Sequence, residues 1–282
     1  MARGSLRAYI LDRMNKQEFD IIVWGATGFT GALVAEYLLA QYGIGKDLRW
    51  AIAGRSEEKL EKLRHALGAE AAALPTIVAD SFDEQKLADM AAKTRVVVTT
   101  VGPYAKYGSA LVAACAEQGT HYCDLAGEAQ WIRRMIDTHH EAAAASGSRI
   151  VHCCGFDSVP MDSGVHFLQQ EAKGTHGDYC NSIVMTVKAM RGTFSGGTMA
   201  SMMNLVKEAR ADRDVARVLV NPYSLTPDGE RKGPDRTDQR GVKFNEAAQS
   251  WTAPFIMAGI NTKVVRRSHA LQGYPYGKDF RY

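Results

Sequence analysis

The clearest indication of a ligand-binding site in this chain is a set of three glycines at three-residue intervals, Gly25, Gly28 and Gly31. They lie between an apolar run, Phe19–Trp24, and a helical pattern over Ala32–Tyr42. In such a strand–turn–helix unit the first glycine permits a sharp turn and the second lets a pyrophosphate approach the backbone, while the third lets the helix pack closely. The context favours a dinucleotide site over a glycine turn without a ligand. The predicted contacts are Gly25, Ala26, Thr27, Gly28, Phe29, Thr30 and Gly31.

A second chemical signal follows the second predicted strand, Arg49–Ala53, at Arg55 and Ser56. A carboxylate at this point would bind the ribose 2′-hydroxyl of NAD, whereas arginine and serine suit the 2′-phosphate of NADP. The sequence therefore predicts NADP(H), with a solvated surface arginine as the alternative for Arg55. Asp80 ends the third strand, and we expect it either to contact the adenine edge or to cap the next helix.

The loop after the fourth predicted strand, Val96–Val101, should lie beside the nicotinamide half of the cofactor. Gly102 would let the ring approach and Pro103 would stiffen the loop. Tyr104 is a candidate proton donor, with Tyr107 close by in the sequence, although packing is the alternative role for both rings.

Acidic residues follow the fifth and sixth predicted strands. Asp124 and Glu128 would orient a substrate or act as acid and base, or else cap the helix that follows. Asp157 and Ser158 lie in a turn after the sixth strand, where a structural role is the default. The candidate catalytic residues are Tyr104, Asp124 and Asp157.

The cysteines and histidines do not predict a metal site. His152 and Cys153 are neighbours on a strand and so point to opposite faces, and no paired ligand spacing is present. The chain has five cysteines and no Cys-x-x-Cys, which favours free thiols in a reducing compartment.

The elements that must position these residues alternate between strand and helix six times from Phe19 to Cys154. This α/β pattern predicts a Rossmann-type doubly wound parallel sheet, in which right-handed crossovers bring all carboxyl ends of the strands to one edge. We expect an N-terminal extension at 1–18, an NADP-binding domain at 19–160 and a partial, smaller α+β domain for substrate binding or dimerisation at 161–282.

After residue 160 the alternation stops, and the predicted elements are less regular. The turn Ser195–Thr198 would either cap a helix or receive a polar or anionic substrate group. The sequence predicts a strand at Ser182–Met190, a helix at Met199–Ala211, a long loop at Asn221–Lys243 and a strand at Thr262–Arg267.

Composition excludes several classes of protein. The chain has 282 residues, 46% of them hydrophobic and 23% charged, which is typical of a globular protein with room for two domains. A net charge of +3 without a Lys/Arg-rich block suits an anionic cofactor and predicts no nucleic-acid partner.

The N-terminus lacks the apolar core of a signal peptide, and no apolar run reaches about 18 residues. We therefore expect a cytoplasmic protein, with peripheral contact at the inner face of the plasma membrane left open.

Together the motifs resemble the saccharopine-dehydrogenase-like oxidoreductase family, and more closely its bacterial branch of trans-acting enoyl reductases. The resemblance implies an NADP-binding Rossmann domain followed by a mixed α/β domain, and a reductase that in some members acts on acyl chains in lipid or glycolipid synthesis. Family members usually continue beyond the segment at Tyr282, so the chain resembles a truncated member. The resembling stretches are FDIIVWGATGFTG, AIAGRSEEKLEKL, VGPYAKYGSALVAACAEQGTHYCDLAGE, GFDSVPMDSG, SGGTMAS and NTKVVRRSHAL.

From the motifs and the resemblance we expect an NADP(H)-dependent oxidoreductase that reduces enoyl or acyl-type substrates. An amino-acid or imine dehydrogenase of saccharopine type is one alternative, although no arginine cluster for a dicarboxylic amino acid is evident. A non-catalytic NADP(H)-binding sensor is the other. The expected partner is a small-molecule or acyl-chain substrate, and a homodimer stays open.

Overall fold

The computed structural model divides the chain into two compact units. The first consists of Met1–Leu125 and Met135–His152, and the second of Ala126–Arg134 and Cys153–Tyr282. The residues that the structure describes are 17–45, 47–192, 196–246 and 248–282.

A six-stranded parallel sheet forms the centre of the first unit. Its strands are β1 (Phe19–Trp24), β2 (Trp50–Gly54), β3 (Thr76–Val78), β4 (Thr94–Thr99), β5 (His121–Cys123) and β6 (Ile150–Val151). The spatial order is β3-β2-β1-β4-β5-β6, and every neighbouring pair is parallel. The predicted doubly wound α/β fold is confirmed. The strands β1 to β3 are added toward one side of the sheet, and the strands from β4 onward are added toward the other side. Ligands of such sheets bind where this order reverses, at the carboxyl ends of β1 and β4.

Helices connect the strands of the first unit. They are α1 (Phe29–Tyr42), α2 (Glu57–Ala66), a 3-10 turn (Ala69–Ala73), α3 (Glu84–Ala92), α4 (Tyr104–Tyr107), α5 (Ser109–Gln118) and α6 (Ala129–Ser146), whose residues up to Arg134 belong to the second unit. Two of these helices have side-chain N-caps. Ser56 accepts a hydrogen bond from Lys59 N at the start of α2, and Asp83 accepts one from Lys86 N at the start of α3.

The core of the first unit lies between the sheet and its helices. Every residue of β2 is buried, as expected for a parallel strand covered on both faces. The Trp50 ring is enclosed, and its Nε1–H donates to Gly43 O at 2.8 Å, so the indole nitrogen is satisfied where α1 ends. The buried side chains of this cluster are Val23, Ala26, Ala35, Leu38, Trp50, Ile52, Leu60 and Leu74.

The described part of the second unit combines helices with a two-stranded antiparallel sheet. Its elements are α7 (Val159–His176), α8 (Gly196–Ala211), α9 (Arg213–Val220), β7 (Lys243–Asn245), β8 (Ser250–Thr252) and α10 (Ala258–Leu271). A cluster of Val165, Ile183, Val265, Tyr276 and Phe280 packs α7 against α10 and the C-terminal segment.

Two strands predicted in the second unit are wrong. Ser182–Met190 forms only one isolated bridge, between Ser182 and Arg281, and side chains such as Val184 are exposed because no neighbouring strand covers them in the described ranges. Thr262–Arg267 lies within helix α10, since a short apolar run is compatible with either structure. The helix α7 was not predicted, because Pro160 suggested a turn, yet proline is well tolerated in a first helical turn. The predicted helix at Met199–Ala211 is confirmed within α8.

No helix in the described ranges combines the length and apolar composition that crossing a bilayer requires.

Candidate functional site

The glycine loop is held where β1 leaves the sheet. The N–H groups of Gly25 and Ala26 donate to Ala53 O at 2.9 and 3.2 Å, so the end of β2 fixes the turn. Gly25 has a φ of +83°, and a Cβ there would lie 2.5 Å from Val101 Cγ2. Only glycine meets both conditions without strain.

Gly31 and Gly28 differ in whether the surrounding protein leaves room for a side chain. A Cβ on Gly31 would lie 2.2 Å from Gly25 O, so this glycine permits the first turn of α1 to pack on the loop backbone. A Cβ on exposed Gly28 would meet Gly25 O at 3.4 Å, an ordinary contact, so the protein itself does not exclude a side chain there. The absence of a side chain at Gly28 therefore leaves space for a ligand that approaches the backbone.

The N-terminus of α1 can receive an anion. Gly28 is its N-cap residue, and no side-chain cap satisfies the free N–H groups of this fully described first turn. These donors and the positive end of the helix dipole suit a pyrophosphate. Thr27 and Phe29 are exposed beside them, and Thr30 is half-buried. The loop therefore fits the phosphates of a dinucleotide, as predicted from its glycines.

Arg55 and Ser56 follow β2 beside this loop. Arg55 is exposed, and in the described ranges no carboxylate pairs with it, so its guanidinium is available to a 2′-phosphate. The Ser56 hydroxyl oxygen accepts from Lys59 N at 3.3 Å, which leaves its O–H free to donate to a ligand. Both residues fit the predicted NADP(H) contacts, and their role stays a prediction.

Asp80 does not cap a helix. Its Oδ1 accepts from Phe82 N at 3.0 Å within a tight turn, while Asp83 caps the following helix. The capping alternative for Asp80 is therefore wrong, and its contact with adenine stays a prediction.

Tyr104 joins the ends of two strands beneath the predicted nicotinamide loop. Gly102 and Pro103, linked by a cis peptide bond, precede it. The buried Tyr104 hydroxyl donates to Thr99 O and accepts from Leu125 N, both at 3.2 Å. This geometry favours a positioning role for Tyr104 over proton donation to a substrate.

Asp124 lies at the centre of a buried polar cluster that the sequence did not reveal. Its Oδ2 accepts from the Tyr122 hydroxyl at 2.9 Å and lies 2.7 Å from His152 Nδ1. Burial, and then the Asp124 charge, raises the pKa of Tyr122 well above its usual value, so the phenol stays a donor. The register of β5 and β6 explains why Asp124 and His152 meet. Cys123 pairs with Val151 in this parallel pair, so the residues that follow them, Asp124 and His152, are also neighbours.

The remaining candidates belong to the second unit. Glu128 is buried, and its Oε1 accepts from Ser201 Oγ at 2.9 Å. Ser158 is also buried and donates to Asn261 Oδ1 at 2.9 Å, whereas Asp157 is exposed. Ser195 lies outside the described residues, and the helix that it was expected to open begins at Gly196. Among the predicted catalytic residues, the structure thus brings Tyr104 and Asp124 to one sheet edge.

In the part of the chain that the structure describes, no three His, Cys, Asp or Glu side chains are grouped as metal ligands. The five cysteines all lie in the described ranges and form no disulfide, and burial raises the pKa of Cys115.

Comparisons with known proteins identify relatives of this chain. Residues 21–151 match the family described as the saccharopine dehydrogenase NADP-binding domain. A candidate trans-acting enoyl reductase of Mycobacterium tuberculosis is 47% identical over 272 residues, which cover 94% of this chain and 64% of that protein. A trans-acting enoyl reductase of Mycobacterium leprae is 42% identical over 275 residues, covering 95% and 65%.

Among solved structures, saccharopine dehydrogenase (L-Glu forming) from Saccharomyces cerevisiae matches with a TM-score of 0.44 and 17% identity, over 56% of this chain and 32% of that one. The chain spans slightly less than two thirds of the length of the two mycobacterial relatives.

Proposed function

We propose that this chain is an NADPH-dependent reductase of enoyl or related acyl-type substrates, because its residues 21–151 match the saccharopine dehydrogenase NADP-binding domain. The observation that carries the proposal is the 47% identity, over 94% of the chain, to a protein named as a candidate trans-acting enoyl reductase. The helix N-terminus behind the glycine loop and the exposed Arg55 support the cofactor part independently.

The protein's own residues would bind and orient the cofactor. The free backbone N–H groups of the first helical turn, at Phe29–Gly31, would hold the pyrophosphate, and Arg55 with Ser56 would hold the 2′-phosphate. Gly102 and Pro103 border the nicotinamide at the carboxyl edge of the sheet. Bound NADPH supplies a hydride, while the protein supplies position and electrostatics.

Reduction of an enoyl group adds a hydride to the β-carbon and a proton to the α-carbon. We assign proton delivery to water rather than to Tyr104, because the Tyr104 hydroxyl already donates to Thr99 O and accepts from Leu125 N. Asp124 acts in this proposal as a positioning residue that holds Tyr122 and His152 beside the same edge. The substrate would be an acyl-type intermediate of lipid or glycolipid synthesis.

Deuterium transfer tests this function. The chain is incubated with NADPH deuterated at C4 of the nicotinamide and with α,β-unsaturated acyl thioesters of increasing length, and the products are analysed by mass spectrometry. We expect one deuterium at the β-carbon of the saturated product. NADPH binding without transfer to any thioester would instead support a sensor, and oxidation of NADPH that requires glutamate would support an amino-acid dehydrogenase.

A further inference from the structure

A cavity of about 310 Å³ opens within the second unit, between helices α7 and α10. None of the predicted cofactor contacts lines it, so it is a separate feature from the glycine loop. Its volume is at the lower end of the range for small-molecule sites. The lining residues that matter for its chemistry are Asp162, His166, Ser268, His269, Gln272 and Tyr276.

Helical spacing directs these side chains toward one space. Asp162 and His166 are four residues apart on α7 and share a face. On α10, Ser268 and His269 follow Val265 by three and four residues, so both lie one turn beyond it on the side that lines the cavity, and Gln272 follows one turn after Ser268. The cavity is thus built by two packed helices rather than by a surface loop.

Two side-chain donors of the wall form hydrogen bonds within the wall. Ser268 Oγ–H donates to Asp162 Oδ2 at 2.7 Å, and Gln272 Nε2 donates to Ser268 O at 3.1 Å. Among the described residues, Asp162 forms no ion pair. Burial raises the pKa of its carboxyl group, whereas the Ser268 hydrogen bond and the nearby His166 ring act against that rise and favour the charged form. What the wall offers a ligand is therefore a negative charge and hydrogen-bond acceptors.

His269 contributes an acceptor that no group of the described chain satisfies. Its Nε2 lies 2.9 Å from Gly277 O, so this nitrogen carries the proton and donates it. Burial lowers the pKa of His269, which keeps the ring neutral and leaves Nδ1 as an acceptor. That Nδ1 is buried and has no hydrogen-bond partner in the described ranges. A buried acceptor of this kind calls for a donor from outside the chain.

Aromatic surface completes the wall. The His269 ring stacks on Tyr276 with centroids 4.9 Å apart and planes 4° from parallel. The Tyr276 hydroxyl lies 3.2 Å from His166 Nδ1, which fixes the phenol at the cavity. These rings give the cavity an apolar wall against which an alkyl chain can pack.

We propose that this cavity binds a small organic amine, whose ammonium group pairs with Asp162 and donates to the acceptors around it. A primary ammonium brings one positive charge and three N–H donors, which match the Asp162 carboxylate and the hydrogen-bond acceptors beside it. The site is independent of NADPH and of the proposed reductase activity.

Amide NMR shifts of the isotope-labelled chain, titrated with n-pentylamine, pentan-1-ol or pentanoate, test the proposal. We expect saturable shifts of signals from Ser268–Gln272 with pentylamine and none with the alcohol or the carboxylate. Equal binding of pentan-1-ol, or no shift with the amine, would overturn the proposal. This comparison uses the unaltered protein and does not depend on how any variant folds.

Two matched variants locate the charge. Asp162→Asn keeps the shape and one acceptor but removes the charge, and we expect it to raise the dissociation constant for pentylamine about tenfold or more. Glu171→Gln removes one charge from an exposed position of the same helix that does not line the cavity, so binding should stay within about twofold. Equal effects of the two substitutions would contradict a specific ion pair at Asp162.

Discussion

At the scale of single residues, Asp124 holds the carboxyl edge of the sheet together. Its side chain is fully enclosed, and one oxygen contacts both the Tyr122 hydroxyl and the His152 ring. An enclosed carboxylate is stable only with such donors, because burial without them costs several kcal/mol. The cluster therefore fixes the ends of two neighbouring strands where the cofactor is expected.

Tyr122→Phe tests this role of the cluster. The substitution keeps the ring and removes one donor from a buried carboxylate, so we expect the free energy of unfolding to fall by about 2 kcal/mol. Tyr37→Phe on the exposed face of α1 is the control and should change stability by less than about 0.5 kcal/mol. Equal stability of the two variants, measured by chemical denaturation, would show that the hydroxyl of Tyr122 is not needed.

At the scale of elements, the glycine loop and the start of α1 form one rigid piece. The loop is tied to β2 through Ala53 O, and the helix approaches so closely that Gly31 has no room for a Cβ. Gly28 in contrast has room for one. Gly31 is therefore required by the packing of the helix, whereas Gly28 is predicted to be required by the ligand, so substitutions should separate the two requirements.

Gly31→Ala and Gly28→Ala make that separation measurable. The Cβ that Gly31→Ala adds would clash with backbone atoms of Gly25 and Ala26, and we expect a loss of about 2 kcal/mol or more in stability. The Cβ that Gly28→Ala adds fits the protein but occupies the approach of the pyrophosphate, so stability should stay within about 1 kcal/mol while NADPH binding weakens about tenfold or more. Thermal unfolding and NADPH titration of both variants check this. Unchanged NADPH affinity in Gly28→Ala would contradict a phosphate site at the loop.

The regular alternation of strand and helix explains how much of the fold could be predicted. Strands such as β1 and β2 are apolar runs that a turn and a helix follow, so local pattern and tertiary packing agree in this unit. In the second unit they disagree: Ser182–Met190 has the composition of a strand but no partner strand in the described ranges, and Thr262–Arg267 is a short apolar run inside α10. Whether such a run pairs depends on distant residues, which a local pattern does not contain.

The candidate site, like the fold, could be predicted only in part from the sequence. Glycine spacing and Arg55 could be recognised because their chemistry depends on sequence neighbours. The contact of His152 with Asp124 could not, because it depends on the register between β5 and β6. The buried role of the Tyr104 hydroxyl likewise needs Leu125, which approaches it only in the folded chain.

At the scale of the whole molecule, a buried lysine links stability to pH. Lys263 is enclosed in α10, and its Nζ donates to Leu219 O at 3.0 Å. Burial lowers the pKa of Lys263 to about 8, from 10.5 for the free side chain. Between these values the folded chain has lost the proton that the unfolded chain still binds. Unfolding then takes up a proton, so this lysine makes stability rise as the pH increases.

Lys263→Met removes this dependence. Relative to the variant, we expect the unaltered chain to gain up to about 3 kcal/mol in its free energy of unfolding between pH 8 and 10.5. Lys207→Met, on the exposed face of α8, should show no such difference. Chemical denaturation at a series of pH values checks this, and parallel curves for the unaltered chain and Lys263→Met would refute it.

Selection of NADP(H) is the central claim about the whole molecule, and equilibrium titration of NADPH and NADH against Arg55→Asp tests it most directly. We expect the unaltered chain to bind NADPH more tightly than NADH. Arg55→Asp should weaken NADPH binding about a hundredfold, because a carboxylate repels the 2′-phosphate, and leave NADH binding within about threefold. Lys93→Asp makes the same charge change before β4, at the opposite edge of the sheet, and should alter neither affinity. Equal weakening of both cofactors by Arg55→Asp would contradict the assignment.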